Sequence, residues 1–460
     1  MEKRVKILNT LKQIFDKEDI LVDNASLETY SYDATPFLKG EKPLVVVFPR
    51  NEKQVQELVK FASKENIPLY PRGSGSGLTG GALPTKKGIV VSFEKMNKVH
   101  FIDEEELVAL VEPGVITYNF QKEAEKKGLF YPPDPSSYKY SSIGGNIAEN
   151  AGGPRCVKYG VTKDYVLDLE CVFADGTLTN VGSKTIKWVS GYNLKDIIVG
   201  SEGTLALITK AYLKLIPLPE TRKTALFAFE KVEDAAKTVF EIFKSRVIPS
   251  ALEFLDEPSL EAIKNYVDLP YLKDEKIKTI LIVETDGYEE GAKKDMEKCI
   301  SVAKGNNAID IIFAKNNEEA ELIWKARRSL SPAIMKLKPY KVNEDIVVPR
   351  KKLVDALKGA YEIAKEFNLL VVCFGHAGDG NIHVNFLYEE GEEDKVEKAV
   401  EKLFKYVISL GGAISGEHGI GLTKAKFLPL EVKEAYYKMK DIKKALDPQN
   451  ILNPGKIFLF

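Results

Sequence analysis

PRGSGSGLTGGALP (71–84) decides how this chain is read. It holds five glycines in nine positions, at Gly73, Gly75, Gly77, Gly80 and Gly81. Glycine at this density lets successive backbone N–H groups turn inward and line a concave anion site. Ser74, Ser76 and Thr79 add hydroxyl donors, and a pyrophosphate is the natural guest. The string also contains a formal G-x-G-x-x-G at Gly75, Gly77 and Gly80. A Rossmann site needs a helix to open there. GALPTKKGIVVSF follows instead, with a proline and then a strand, so that reading is rejected. A Walker loop is absent. The bland alternative is a flexible loop without a ligand.

Upstream of the loop, PLVVVF (43–48) and IPLYPR (67–72) read as strands around a helix at 52–65. That helix shows apolar Val55, Leu58, Val59 and Ala62 at helical spacing. GIVVSF (88–93) and LVALVEPGV (107–115) read as further strands, and ITYNFQKEAEKKG (116–128) as a helix stopped by Gly128. YVLDLECVFADGTLTNVG (165–182) reads as a hairpin turned at Asp175-Gly176. SSIGGNIAENAGGPRCVKYG (141–160) and IIVGSEGTLALIT (197–209) read as second and third Gly-rich loops, which suits a long ligand gripped at several points. Residues 1–36 read as a helix followed by a loop. TLALITKAYLKLIPLP (204–219) reads as another strand region, and its Pro-rich end closes the first domain. Beyond it, strand and helix alternate through TALFAFE, EDAAKTVFEIFKSR, ALEFLD, EAIKNYV (261–267), KTILIVETDG and GAKKDMEKCISVAKG, which suggests an α/β cap over an antiparallel sheet. Helices at 351–367 and 393–410 flank a strand pair at 369–387.

Bulk properties narrow the function classes. At 460 residues the chain holds two or three domains. Lys+Arg is 66 and Asp+Glu is 67, a net charge of −1. That balance gives no support to a nucleic-acid partner, which needs a basic excess. No run of about 18 apolar residues exists, so no transmembrane segment is expected. The four cysteines, Cys156, Cys171, Cys299 and Cys373, form no C-x-x-C pair. An iron–sulfur cluster or disulfide framework is therefore not expected, and a reducing, cytoplasmic setting fits.

Three of the four histidines, His376, His383 and His418, fall within 43 residues. His376 and His383 sit in VVCFGHAGDGNIHVNF (371–386). If Asp379-Gly380 are a two-residue hairpin turn, His376 lies directly opposite His383, with Asn385 on the same face. That geometry suits two imidazoles sharing a metal, and another loop length loses the direct pairing. ISGEHGIG (414–421) places Glu417 and His418 between glycines. On an extended segment they point to opposite sides, so one could ligate a metal while the other addresses a different atom. Two His and one carboxylate is a common zinc set, and Mn²⁺ or Fe²⁺ accept it too. IWKARRSLSPA (323–333) holds Arg327 and Arg328. These are solvated helix charge, or else a guanidinium that clamps a carboxylate. Ser331 would share a helix face with Arg327.

PRGSGSGLTGGA, PPDPSS, SIGGNIAENAGG, YG and GSEGTL resemble the FAD-binding domain of the vanillyl-alcohol oxidase / p-cresol methylhydroxylase superfamily. The likeness is to its glycolate oxidase, D-lactate dehydrogenase and D-2-hydroxyglutarate dehydrogenase branch, and it covers nearly the whole chain. It implies an α+β fold: a two-subdomain PCMH-type FAD-binding domain over 1–218, an α/β cap with an antiparallel sheet over 219–413, and a segment over 414–460 that returns to the FAD domain and closes the active site. It implies that Arg72, Gly73, Ser74, Gly75, Ser76, Gly77, Thr79 and Gly80 bind the FAD pyrophosphate. It places Pro133, Asp134, Ser142, Gly145, Asn146, Gly152, Ile208 and Asn453 around the cofactor. Some relatives attach the flavin covalently through a histidine near this loop. Here Ser74 and Ser76 stand without one, so FAD is expected to be non-covalent, Cys156 being the only nearby alternative attachment point.

HAGDGNIH and GEHG resemble the metal-bearing branch, which implies His376, His383 and Glu417 as ligands and His418 as general base. The resemblance selects Arg327 for the substrate carboxylate, with Lys341 nearby. The implied reaction takes a small 2-hydroxy acid to the 2-oxo acid by hydride transfer to flavin N5, with metal-assisted loss of the hydroxyl proton. Electrons would pass on to an iron–sulfur subunit, an electron-transfer flavoprotein or a quinone, with membrane association through such a partner. A homodimer is one assembly compatible with this reading. The alternatives are another flavin oxidase of the same fold, or a non-catalytic FAD-bearing electron-transfer subunit.

Overall fold

The computed structural model describes residues 2–264 and 274–459. The chain divides into two compact units. Unit 1 takes residues 1–152, 161–218 and 417–460, and unit 2 takes 153–160 and 219–416.

Unit 1 is built on two sheets. In the first, Val45–Val47 and Leu69–Arg72 flank Ile89–Ser92 in parallel, and Ile20–Leu21 adds an antiparallel edge. The helix Glu52–Glu65 packs here because its apolar stripe, Val55, Leu58, Val59 and Ala62, is fully buried. Each larger side chain in that stripe contributes roughly 1.5–3 kcal/mol. Asn51 caps the helix by accepting from the Gln54 N–H at 3.0 Å, and Asn66 ends it in the left-handed conformation. The second sheet is antiparallel and five-stranded, in the order Val99–Asp103, Val108–Val111, Ala206–Lys214, Val166–Phe173, Leu178–Asn180. The last two form the expected hairpin about Asp175-Gly176. The tail joins this unit's core through Ile451 and Leu452.

Three sequence expectations are corrected in unit 1. Most of SIGGNIAE is a short helix, Ile143–Glu149, capped by Ser142, whose hydroxyl accepts from the Gly145 N–H at 3.2 Å. The cap offsets part of the low helix propensity of its two glycines, and burial of Ile143 and Ile147 offsets the rest. Residues 197–209 begin in a short helix, Leu194–Ile198, rather than in a loop, and turn at 200–203 into the strand Ala206–Lys214, which lies within the strand region expected at 204–219. At the N-terminus, the expected helix Glu2–Ile14 is followed by the short strand Ile20–Leu21 and a second helix, Asn24–Thr29, rather than a plain loop.

Unit 2 is a seven-stranded antiparallel sheet. Its order is Asp310–Phe313, Thr221–Phe229, Thr279–Gly287, Ala251–Leu255, Leu370–His376, Asn381–Tyr388, Tyr340–Val347. One face packs under Glu257–Ile263, Asn317–Arg328 and Leu330–Ile334, and its core includes Leu226, Ile282, Phe374, Ala326 and Leu330. The helices Val232–Lys244, Glu289–Gly305, Leu353–Glu366 and Glu393–Ser409 also pack on the sheet. The last three residues of EAIKNYV lie outside the described residues. Residues 153–160, placed by the sequence with the first domain, pack with unit 2. Lys158 Nζ donates to the Asp286 carbonyl at 3.0 Å, and the Tyr159 hydroxyl to the Asp286 carboxylate at 2.7 Å. At the other end Gly416 stays with unit 2, because its N–H donates to the Asp345 carbonyl at 2.9 Å.

Candidate functional site

The strand Leu370–His376 is a nearly continuous apolar run, whereas Asn381–Tyr388 alternates Asn381, His383 and Asn385 with apolar Ile382, Val384 and Phe386, so that a buried strand turns a polar row to one face. Their connection is the four residues 377–380, not the two-residue Asp379-Gly380 turn, and the Asp379 N–H donates to the His376 carbonyl at 3.0 Å. His376 is therefore paired with Asn381, and His383 with Phe374. Direct opposition is lost, yet the register moves by two residues and side chains repeat every two, so both imidazoles keep the same face. Their ring centroids lie 5.3 Å apart at 84°. Asn385, two residues on from His383, donates its amide to the Val372 and His383 carbonyls at 3.1 Å each. Its buried Oδ1 has no hydrogen-bond partner among the described residues.

Asp345 lies across the strand pair from His383. Its carboxylate accepts from the Gly416 N–H at 2.9 Å and the Ser415 hydroxyl at 3.2 Å. That contact fixes the backbone one peptide bond ahead of Glu417. One ligand atom each from His376, His383 and Glu417 then lies within 4.8 Å of the others. Two imidazole nitrogens and a carboxylate oxygen fit a divalent cation by donor type. Glu417 and His418 do not diverge as expected of an extended segment. The chain bends, and Glu417 Oε1 comes to 3.7 Å from His418 Nε2.

The same sheet face carries cations. Arg327 is buried, and its Nε donates to Glu253 at 2.7 Å. Its guanidinium carbon sits 4.7 Å over the Phe374 ring. No described residue accepts from its Nη1 or Nη2. Arg328 is exposed and pairs with Glu321, so only Arg327 faces this row. Ser331 is not a continuation of the arginine helix: it belongs to a separate short helix, Leu330–Ile334. Its hydroxyl nevertheless accepts from Lys341 Nζ at 3.1 Å. Lys341 is buried without a carboxylate partner, and burial pulls its pKa below the usual lysine range. The opposite strand position adds Asn343, whose Oδ1 is buried without a partner among the described residues. A buried arginine edge, a buried lysine and unsatisfied amide oxygens form a polar row that suits an anion bearing a donor hydroxyl.

In unit 1 the glycine loop follows the strand Leu69–Arg72 and is braced by residues 32–35. Arg72 donates to the Tyr32 carbonyl at 2.7 Å, the Gly75 carbonyl accepts from Ala34 at 2.9 Å, and the Gly80 N–H donates to Thr35 Oγ1 at 2.7 Å. Gly75 and Gly80 hold φ of +66° and +76°, where glycine is favoured. A Cβ at Gly73 would collide with the Ser142 hydroxyl. Gly73, Ser74 and Ser142 line a cavity of about 350 Å³ together with Gly114, Val115 and Ile116. Glu94 and Glu123 line it too, so what fits a dinucleotide phosphate here is the glycine-loop backbone with the Ser74 and Ser142 hydroxyls. Pro133, Asp134, Gly152 and Ile208 do not line that cavity. Asn146 and Asn453 act as braces: Asn146 donates to Thr117 Oγ1 at 2.7 Å, and Asn453 to the carbonyls of Gly81 and Glu202 at 3.0 and 2.6 Å. Thr79 turns to the tail, its hydroxyl donating to the His418 carbonyl at 3.1 Å.

Three residues that matter here were not singled out from the sequence. Glu253 and Asp345 are charged residues inside buried strands, and a glutamate within ALEFLD was a readable signal. Glu202 stands in the GSEGTL motif. Its carboxylate accepts from the Ile420 and Gly421 N–H groups at 2.7 and 2.8 Å, fixing the segment just after His418.

Residues 218–457 match the family described as FAD linked oxidases, C-terminal domain, which spans more than half of the chain. The chain belongs to the FAD-linked oxidases. Residues 43–182 of this FAD-linked oxidase match the FAD binding domain, the stretch that contains the glycine loop. It is 44% identical over 454 residues to the glycolate oxidase subunit GlcD of Bacillus subtilis, covering 97% of this chain and 96% of that one. It is 38% identical to a D-lactate dehydrogenase of Archaeoglobus fulgidus, covering 94% and 95%. The fold of this FAD-linked oxidase is that of p-cresol methylhydroxylase, with a TM-score of 0.82 at 19% identity, covering 99% of this chain and 97% of that one. No helix among its described residues is long and apolar enough to cross a membrane.

Proposed function

We propose that this FAD-linked oxidase oxidises a small 2-hydroxy acid of the D-lactate, glycolate or D-2-hydroxyglutarate type to the 2-oxo acid. One observation carries the reading: a metal-competent histidine pair shares a sheet face with buried Arg327 and Lys341, neither of which is saturated by protein anions. The names of the relatives support the same substrate class.

Bound FAD, held non-covalently by the glycine cradle, supplies the hydride acceptor. A bound divalent cation, zinc by donor set with Mn²⁺ or Fe²⁺ also accommodated, supplies Lewis acidity toward an alcohol. Arg327 presents its Nη edge to the substrate carboxylate and fixes the orientation of C2. Lys341, beside Ser331, adds a second cation to that end. Asn385 Oδ1 is placed to accept from a donor group of the ligand. His418 takes the hydroxyl proton, a task suited to imidazole at neutral pH. Glu202 and Thr79 hold the backbone that carries it. Electrons then leave to an iron–sulfur subunit, an electron-transfer flavoprotein or a quinone, within the cytoplasm or at a membrane-bound partner.

The test is anaerobic mixing of the purified holoprotein with D-lactate, glycolate and D-2-hydroxyglutarate. Bleaching of the flavin absorbance by at least one is expected, and failure with all three in metal-replete protein refutes the reading. His383→Ala should remove the metal and abolish bleaching while the FAD content stays unchanged.

A further inference from the structure

We infer that Glu253 is a positioning residue that sets the metal ligand and the carboxylate anchor at once, one with each oxygen. The inference rests on the proposed metal- and hydroxy-acid-binding site and goes beyond it by naming what orients the site. Glu253 lies in Ala251–Leu255, near the middle of the seven-stranded sheet, and is completely buried. Its cross-strand partner is His376. Oε1 lies 2.5 Å from His376 Nδ1, and Oε2 accepts from Arg327 Nε at 2.7 Å.

Each bond has a chemical consequence. An ionised carboxylate can only accept, so the neutral imidazole must carry its proton on Nδ1 and present its lone pair at Nε2. Glu253 thereby selects the tautomer in which His376 can ligate through Nε2, and it locks the ring about its own axis. Outer carboxylates of this kind raise ligand basicity. On the other side, a guanidinium held at Nε can offer Nη1 and Nη2 as a fork to a second carboxylate. The stacking of Arg327 on Phe374 fixes the plane of that fork. Phe374 also lies 5.5 Å from the His383 ring, centroid to centroid. A single buried carboxylate therefore ties the metal donor to the anion fork, and loss of its charge should disturb both.

The test uses the FAD-loaded full chain and Glu253→Gln, which keeps the shape but offers one acceptor oxygen in place of two. Zinc affinity is read by chelator competition, oxalate affinity of the zinc-saturated protein by calorimetry, and FAD content by absorbance. The expected result is zinc affinity lower by about 10- to 100-fold and oxalate affinity lower by about tenfold, at unchanged FAD content. Zinc and oxalate affinities within threefold of wild type overturn the inference. Wild-type protein that takes up no zinc sinks the metal reading itself, a visibly different outcome.

A second measurement needs no Glu253 variant. ¹⁵N-histidine spectra of the zinc-loaded wild type contain four imidazoles, with His376 assigned through His376→Asn. His376 should carry a hydrogen-bonded, downfield Nδ1 proton and no proton on Nε2. An Nε2–H tautomer overturns the inference.

Discussion

Arg327→Lys keeps the positive charge but replaces a fork by a single ammonium. In the protein, Nε serves Glu253 at 2.7 Å while Nη1 and Nη2 remain for a ligand. An ammonium in this pocket can satisfy Glu253 or the substrate carboxylate, not both in the same geometry. One charge-assisted hydrogen bond to the substrate is therefore lost, worth about 1.5–3 kcal/mol. At about 1.4 kcal/mol per factor of ten, kcat/KM for flavin reduction should fall about 10- to 150-fold. Most of that should fall in KM, because the contact is made equally in ground and transition states. Arg327→Met is the contrasting variant. It leaves the carboxylate of Glu253, wholly buried, with the neutral His376 imidazole as its remaining side-chain partner among the described residues. Breaking a buried ion pair in this way costs about 3–5 kcal/mol. At about 2–4 °C per kcal/mol, that is a fall of roughly 6–20 °C in the Tm of unit 2. Anaerobic stopped-flow reduction gives the first number and differential scanning calorimetry the second. Unchanged kcat/KM in the lysine variant, together with an unshifted Tm in the methionine variant, would refute the assigned geometry of Arg327.

Other outcomes follow from the same structure. Lys341→Met removes a buried charge that has only a hydroxyl partner, so the Tm should hold or rise while KM for the hydroxy acid increases about tenfold, a single contact to a charged group; a lowered Tm with unchanged KM contradicts this. Gly73→Ala drives a methyl into the Ser142 hydroxyl, the cap of Ile143–Glu149, and should yield protein with less than about half the wild-type FAD per chain at a stability cost near 1 kcal/mol, read from the ratio of flavin to protein absorbance. Burial pushes the Asp256 carboxyl up to about 6, against hydrogen bonds from Ser259, Cys373 and Tyr361. A raised folded-state pKa means that its stabilisation is complete below about pH 4 and is lost as pH rises through about 6. That is on the order of 3 kcal/mol, and Asp256→Asn should flatten this part of the Tm-against-pH curve.

Much of this molecule was legible before its structure. Glu52–Glu65 followed from four apolar residues at helical spacing, and the hairpin after Val166–Phe173 followed from Asp175-Gly176. His376 and His383 could be placed on one face because parity survives a two-residue register error. The exact loop was not legible, since HAGDGN is compatible with two- and four-residue turns. SIGGNIAE looked like a loop because glycine propensity was weighed without the Ser142 cap. Glu417 and His418 were expected to diverge because a bend enforced by Asp345 and Glu202, both remote in sequence, cannot be read locally. Glu253 escaped for the same reason: its two partners lie 123 and 74 residues away, and only the sheet order reveals them.

The tail has a consequence for biosynthesis. Asn453 bonds to the carbonyls of Gly81 and Glu202, Leu452 bridges to Leu69, and Lys443 donates to the Thr204 carbonyl at 2.7 Å. The glycine loop, though encoded early and braced at once by residues 32–35, therefore gains its tail contacts only after the ribosome has translated residue 453. A polypeptide that stops short of that residue could fold the seven-stranded sheet, yet Gly81, Glu202 and Leu69 would be left without these contacts.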